Sequence, residues 1–132
     1  MVGRMVIRGL RMMGARAIRG AITVENNDAA EIINETRTLL EKIINLNELC
    51  NEDVISIVFT VTRDLDAAFP AVAARQIGLT DIALMCMNEI SVPGSLEKCI
   101  RVMIHFNTDK SNSEIKHVYL NRARILRPDL VE

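Results

Sequence analysis

The stretch CIRVMIHFN, residues 99–107, decides the fold. Side chains alternate between the two sides of a strand. Ile100, Val102, Ile104 and Phe106 therefore form one apolar face, while Cys99, Arg101, Met103, His105 and Asn107 form the other. The pattern predicts a strand with one face in a core and a guanidinium at the middle of its opposite face. Arginine stays charged at any working pH, and burying it unpaired costs on the order of several kcal/mol. Arg101 must face water, a carboxylate or an anionic ligand.

Working outward, RAIRGAITV (16–24) reads as a second strand, with Ile18, Ile22 and Val24 on one face and Arg19 and Thr23 on the other. The segment that follows has Asp28 and Glu31 at capping-box spacing, then Ile32, Thr36, Leu39, Leu40, Ile43 and Leu46 at helical period. It predicts one long amphipathic helix. VISIVFTVT, from Val54, is rich in β-branched residues and predicts a strand whose more apolar face is Ile55, Ile57, Phe59 and Val61. Pro70 and Gly78 bracket a short helix with Arg75 on its last turn. IALMCMNEI (82–90) predicts a nearly continuous apolar strand ending at Glu89, followed by a turn at VPGS. Ser111 and Glu114 fit a second capping box, opening a short helix with Ile115, Val118 and Tyr119 on one side. RARILRPDL (122–130) predicts a last strand ended by Pro128. The expected architecture is α+β, a mixed sheet of about five strands packed against one long helix plus two short helices. One helix covers one sheet face. The other face, crossed by Arg19 and Arg101, is most simply completed by a closed homo-oligomer with charged clefts between subunits.

The chain has 132 residues, of which 49% are hydrophobic, enough for one domain with a sizeable core. Residues 13–132 are expected to form that domain, and residues 1–12 an extension ahead of a start at Met12 or Met13. With a net charge of −1, no global field draws the protein to nucleic acid or anionic membrane. Its twelve arginines against four lysines favour planar, two-pronged recognition of carboxylate or phosphate. Cys50, Cys86 and Cys99 form no C-x-x-C pair, which favours reduced thiols and a cytoplasmic setting. No stretch approaches the roughly 20 apolar residues needed to span a bilayer.

The candidate polar set is Arg19, Arg75, Arg101 and Arg127, with Glu89, Tyr119 and Cys86 as neighbours. The VPGS turn can bring Glu89 beside Arg101, either as a plain ion pair or as part of a site. Four cations around one or two carboxylates leave surplus positive charge, which suits a small dicarboxylate or a phosphate ester. Cys86, Cys99, His105 and His117 match no zinc spacing, and no metal is expected. Neither histidine has an evident orienting carboxylate for a nucleophile, and there is no phosphate-binding glycine loop. A reaction needing a bound, oriented anion but no nucleophile, metal or cofactor fits best.

Four segments, RAIRGAITVENN, FTVTRDLDAAFPA, CMNEISVPGSLEKCIRVM and HVYLNRARILRPDL, together resemble the monofunctional AroH class of chorismate mutases over residues 16–130. The resemblance implies a homotrimer with a pseudo-barrel core, active sites between subunits and no cofactor. It implies rearrangement of chorismate to prephenate in the biosynthesis of phenylalanine and tyrosine. By the same resemblance, Arg101, Glu89 and Arg19 are the catalytic residues, and Tyr119, Arg127, Cys86, Phe69 and Arg75 bind the substrate. VIRGL near the start mimics AIRGA, but GAITVENN follows Arg19 directly, which favours Arg19 over Arg8 or Arg11. Some relatives carry a lysine on the short helix where this chain has Val72, which removes a cation from the pocket rim. A non-catalytic carboxylate-binding trimer and an imine-deaminase-like enzyme on a similar scaffold are the rival readings.

Overall fold

The computed structural model describes residues 13–130, so the extension expected over residues 1–12 lies outside the described residues. Five strands form one sheet: β1 (Gly14–Thr23), β2 (Val54–Val61), β3 (Ala83–Asn88), β4 (Cys99–Thr108) and β5 (Val118–Tyr119). Their order is β3-β2-β4-β1-β5. β4 runs antiparallel to both β1 and β2, whereas β3 is parallel to β2 and β5 parallel to β1. The stretch that opened the reading is thus the central strand.

The long helix, α1 (Ala29–Asn47), starts where the sequence predicts. Asp28 caps it by accepting a hydrogen bond from the Glu31 amide at 3.0 Å. The Glu31 carboxylate reaches past the cap to the amides of Glu25 and Asn26, which holds its pKa below the usual carboxylate range. Ile32, Leu39, Leu40 and Ile43 are fully buried against the helix-facing side of the sheet, where Ile18, Ile22, Ile57, Phe59, Ile100, Ile104 and Phe106 complete the core. Gly20 lies on this face, and its missing side chain lets α1 close on β1. The short helix α2 (Ala71–Gln76) buries Ala71, Ala73 and Ala74 in the same core.

Three expectations need correction. Ile55 is 43% exposed rather than part of the inner face of β2, because a bulge between Val54 and Ser56 turns Val54 inward in its place, whereas Ile57 and Phe59 are buried as expected. The capping box at Ser111 and Glu114 is present, but it opens only a 3₁₀ turn (Asn112–Glu114). The chain then extends into β5, and Ile115, Val118 and Tyr119 are buried from that extended segment. RARILRPDL is not a strand: it forms 3₁₀ turns over Asn121–Leu126 and Pro128–Leu130. Asn121 adopts a φ of +57° and turns the chain off the sheet. Its side-chain amide donates to Thr23 O at 2.9 Å, and the Arg122 amide donates to Thr23 Oγ1 at 3.0 Å. These bonds, with the β1–β5 pairing, occupy the edge that a longer strand would have used. The sheet keeps five strands, with Val118–Tyr119 as the fifth.

Candidate active site

Register places the polar residues on the sheet face opposite α1. Thr60 pairs with Arg101, Arg101 with Ala21, and Ala21 with Tyr119, so one row crosses β2, β4, β1 and β5. Adjacent strands lie about 4.8 Å apart, which separates the Arg101 and Tyr119 backbones by roughly two such spacings. Ala21, fully buried, stands between them. Beneath this row, Ala21, Cys99, Tyr119 and Ala123 form a small second core, with Leu96 and Leu126 packed at its edge. Burial pushes the Cys99 thiol pKa up, so this cysteine is an apolar packing group.

Glu89 follows β3 directly, its amide donating to Val61 O at 2.9 Å. Its carboxylate accepts a hydrogen bond from the Thr60 hydroxyl. Glu89 Oε2 lies 3.5 Å from Arg101 Nε, an ion pair too long for a good hydrogen bond. Arg101 Nε and the Tyr119 hydroxyl are both buried and without a hydrogen-bond partner. Buried polar atoms are normally satisfied, and these two unsatisfied donors share one row of the sheet. Arg101 stands at a cleft of about 510 Å³ that Glu89, Thr62 and Cys99 also line, with Ile90 and Ile125 as exposed apolar walls. That volume lies within the range of small-molecule pockets.

The remaining expected residues fall around this centre. Arg19 is exposed on the same face, one register step along β1, and its amide donates to His117 Nδ1 at 2.9 Å. Burial, followed by the charges of Arg127 and Arg19, lowers the His117 pKa. Arg127 directs its fork at Asp129, with contacts of 3.1 and 2.9 Å. That pairing raises the Arg127 pKa and lowers that of Asp129. Phe69, 69% exposed, and Cys86 line a different cleft of about 360 Å³. Cys86 packs against the main core, so it faces the α1 side of the sheet, away from Arg101. Arg75 is exposed on α2 and lines neither cleft. Within one chain, the structure brings Arg101 and Glu89 together, sets Tyr119 on the same row and Arg19 on the same sheet face, pairs Arg127 with Asp129, and leaves Phe69, Cys86 and Arg75 apart.

Sequence reasoning missed Thr60. Its signal was available: a hydroxyl on the outward face of an apolar strand whose partner in the sheet carries the arginine. Cys86, Cys99, His105 and His117 do not converge; among the described residues no three His, Cys, Asp or Glu side chains form a metal cradle.

An arginine held against a carboxylate at a cleft is an arrangement that can orient an anion. The chain belongs to the chorismate mutase type I family, whose model matches residues 15–130. It is 47% identical over 119 residues to the chorismate mutase AroH of Bacillus subtilis (strain 168), covering 89% of this chain and 94% of that protein. It is 48% identical over 116 residues to the chorismate mutase AroH of Thermus thermophilus, covering 87% and 95%. The solved chorismate mutase from Clostridium thermocellum superposes with a TM-score of 0.82 at 64% identity, over 83% of this chain and 98% of that one.

Proposed function

We infer that this protein is a chorismate mutase, an isomerase that rearranges chorismate to prephenate, and that Arg101 supplies the charge that drives the step. The reaction is an intramolecular rearrangement in which one C–O bond breaks as one C–C bond forms, with no change in composition. Catalysis then consists of orientation and electrostatics. As the C–O bond breaks, negative charge grows on the ether oxygen. A preorganised guanidinium hydrogen bond strengthens with that charge, so it stabilises the transition state more than the substrate. The observation that carries this reading is Arg101 at the cleft, ion-paired with Glu89 and with a buried Nε that makes no hydrogen bond within the chain.

Glu89, anchored by Thr60, holds the guanidinium in place and accepts the ring hydroxyl of the substrate. Arg19, Tyr119 and Arg127 receive the two substrate carboxylates and restrain the folded side chain. Phe69, Cys86 and Arg75 complete the pocket from a neighbouring subunit of a homotrimer, which accords with their separation from Arg101 within one chain. The open sheet face also exposes Met85, Met87 and Met103, an apolar surface that a closed trimer with a pseudo-barrel core would cover. The three cysteines are free thiols, in keeping with a cytoplasmic location. Among the described residues, no helix is long and apolar enough to cross a membrane.

Purified protein mixed with chorismate should consume its ultraviolet absorbance at a rate proportional to enzyme, with prephenate as the product. Binding of chorismate without turnover would instead select the carboxylate-binding reading, and ammonia release from an imino acid the deaminase-like one.

A further inference from the structure

The approach to β4 contains a backbone outlier. Lys98 holds a φ of +49°, a left-handed conformation uncommon for a residue with a side chain. It immediately precedes Cys99 and stands three residues before Arg101. Such conformations persist when their surroundings over-determine them, and here the surroundings are specific. The Lys98 amide donates to both carboxylate oxygens of Asp64, at 3.2 and 3.0 Å, and its carbonyl accepts from the Val24 amide at 2.9 Å. Asp64 Oδ1 also accepts from the Thr62 hydroxyl at 2.5 Å, and Thr62 Oγ1 in turn accepts from the Cys99 amide at 3.0 Å. The Thr62 amide closes the loop by donating to Cys99 O at 3.1 Å. One carboxylate therefore controls two successive peptide groups at the start of the strand that bears Arg101. Thr62 and Cys99 line the same cleft as Arg101.

We propose that Asp64 is a positioning residue for Arg101: it pins the left-handed Lys98 backbone and, through Thr62, the Cys99 amide, and so fixes the direction in which β4 presents the guanidinium. Without the carboxylate, Lys98 relaxes towards negative φ, the first turn of the strand reorients, and the guanidinium leaves the position where charge develops. Small displacements of a catalytic group cost large factors in rate. Substrate binding, which uses the other arginines and Tyr119, changes less. The inference rests on the reading of Arg101 as the donor to the ether oxygen.

The test is steady-state turnover of chorismate by Asp64→Ala, Asp64→Asn and the double variant Asp64→Ala/Lys98→Gly, with Lys98→Gly alone as the baseline for rescue. Asp64→Ala should lower kcat by about 10- to 100-fold, with KM within about threefold of the parent value. The double variant should recover most of that loss, because glycine adopts a φ of +49° without strain. Asp64→Asn keeps an acceptor oxygen for the Lys98 amide, so it should lose less. If Asp64→Ala does not fold, rescue of Asp64→Asn by Lys98→Gly carries the same test. Native kcat in Asp64→Ala overturns the proposal, as does a loss that Lys98→Gly leaves uncorrected. A rise in KM at constant kcat also overturns it, since that would place the carboxylate on the substrate. Near-native turnover by Arg101→Ala would refute the underlying reading, whereas a crippled Arg101→Ala beside an unaffected Asp64→Ala would refute the clamp alone.

Discussion

Replacing Gly20 by alanine tests how closely α1 is seated on the sheet, and the size of the effect can be worked from the local distances. A Cβ at this position would meet Ile43 Cδ1 at 2.8 Å, Val118 O at 3.0 Å and Leu39 Cδ1 at 3.2 Å. Carbon atoms in good contact sit about 3.5–4.0 Å apart, so the new methyl intrudes by several tenths of an ångström on each neighbour. Ile43 and Leu39 are fully buried and have no solvent to swing into, and the Val118 carbonyl belongs to the β1–β5 edge. Overpacking of this kind costs about 1–3 kcal/mol. Removing a glycine from a strand interior returns roughly 0.5–1 kcal/mol. The net loss should be about 1–2 kcal/mol. With a urea slope of about 2 kcal/mol/M, the unfolding midpoint should fall by about 0.5–1 M. Protein concentration must be fixed, because assembly couples to stability. Because Tyr119 follows Val118 in β5, KM for chorismate should rise in the same variant. An unchanged or higher midpoint would show that α1 does not sit on β1 at this distance.

Thr60→Val removes the hydroxyl that anchors Glu89 while keeping the shape of the side chain. A hydrogen bond to a charged group contributes about 1.5–3 kcal/mol, so kcat should fall about tenfold or more with the circular dichroism spectrum unchanged. Arg127 lies at the exposed side of the site, paired with Asp129, so Arg127→Ala should raise KM and leave kcat within a few-fold, measured by chorismate titration. His117 accepts the Arg19 amide at Nδ1 and has a lowered pKa in the folded state, so the fold favours its neutral form. The stability it contributes is fully present above the ordinary histidine pKa of about 6.5. It is lost as pH falls below that value and through the lowered folded pKa. Urea midpoints between pH 7 and pH 5 should decline more steeply for the parent than for His117→Gln.

The first four strands and the long helix were legible because their local patterns agree with their tertiary surroundings. The alternation in residues 99–107 places Ile100 through Phe106 in the core, and the Asp28 cap starts α1 where expected. The C-terminal segment was misread because alternation in RARIL has no core to serve: Ala123 is buried while Ile125 is 71% exposed. Its conformation is set by Asn121 bonding to Thr23, a contact 98 residues away in sequence that no local pattern records. The same holds for the bulge that exposes Ile55. At the site, the pairing of Glu89 with Arg101 was legible from one turn between two strands. The separation of Cys86 from Arg101 was not, because it depends on which sheet face each strand presents. Asp64 was invisible too, since its role comes from the backbone amides it accepts rather than from any motif.

If Arg101 stabilises charge developing on the ether oxygen, kcat of Arg101→Ala reads that stabilisation without intermediaries. A preorganised donor of this kind is worth about 3–4 kcal/mol, or 10²- to 10³-fold in rate. A loss of at least that size is expected in a protein that keeps its secondary structure and oligomeric state. Turnover within tenfold of the parent enzyme would contradict it.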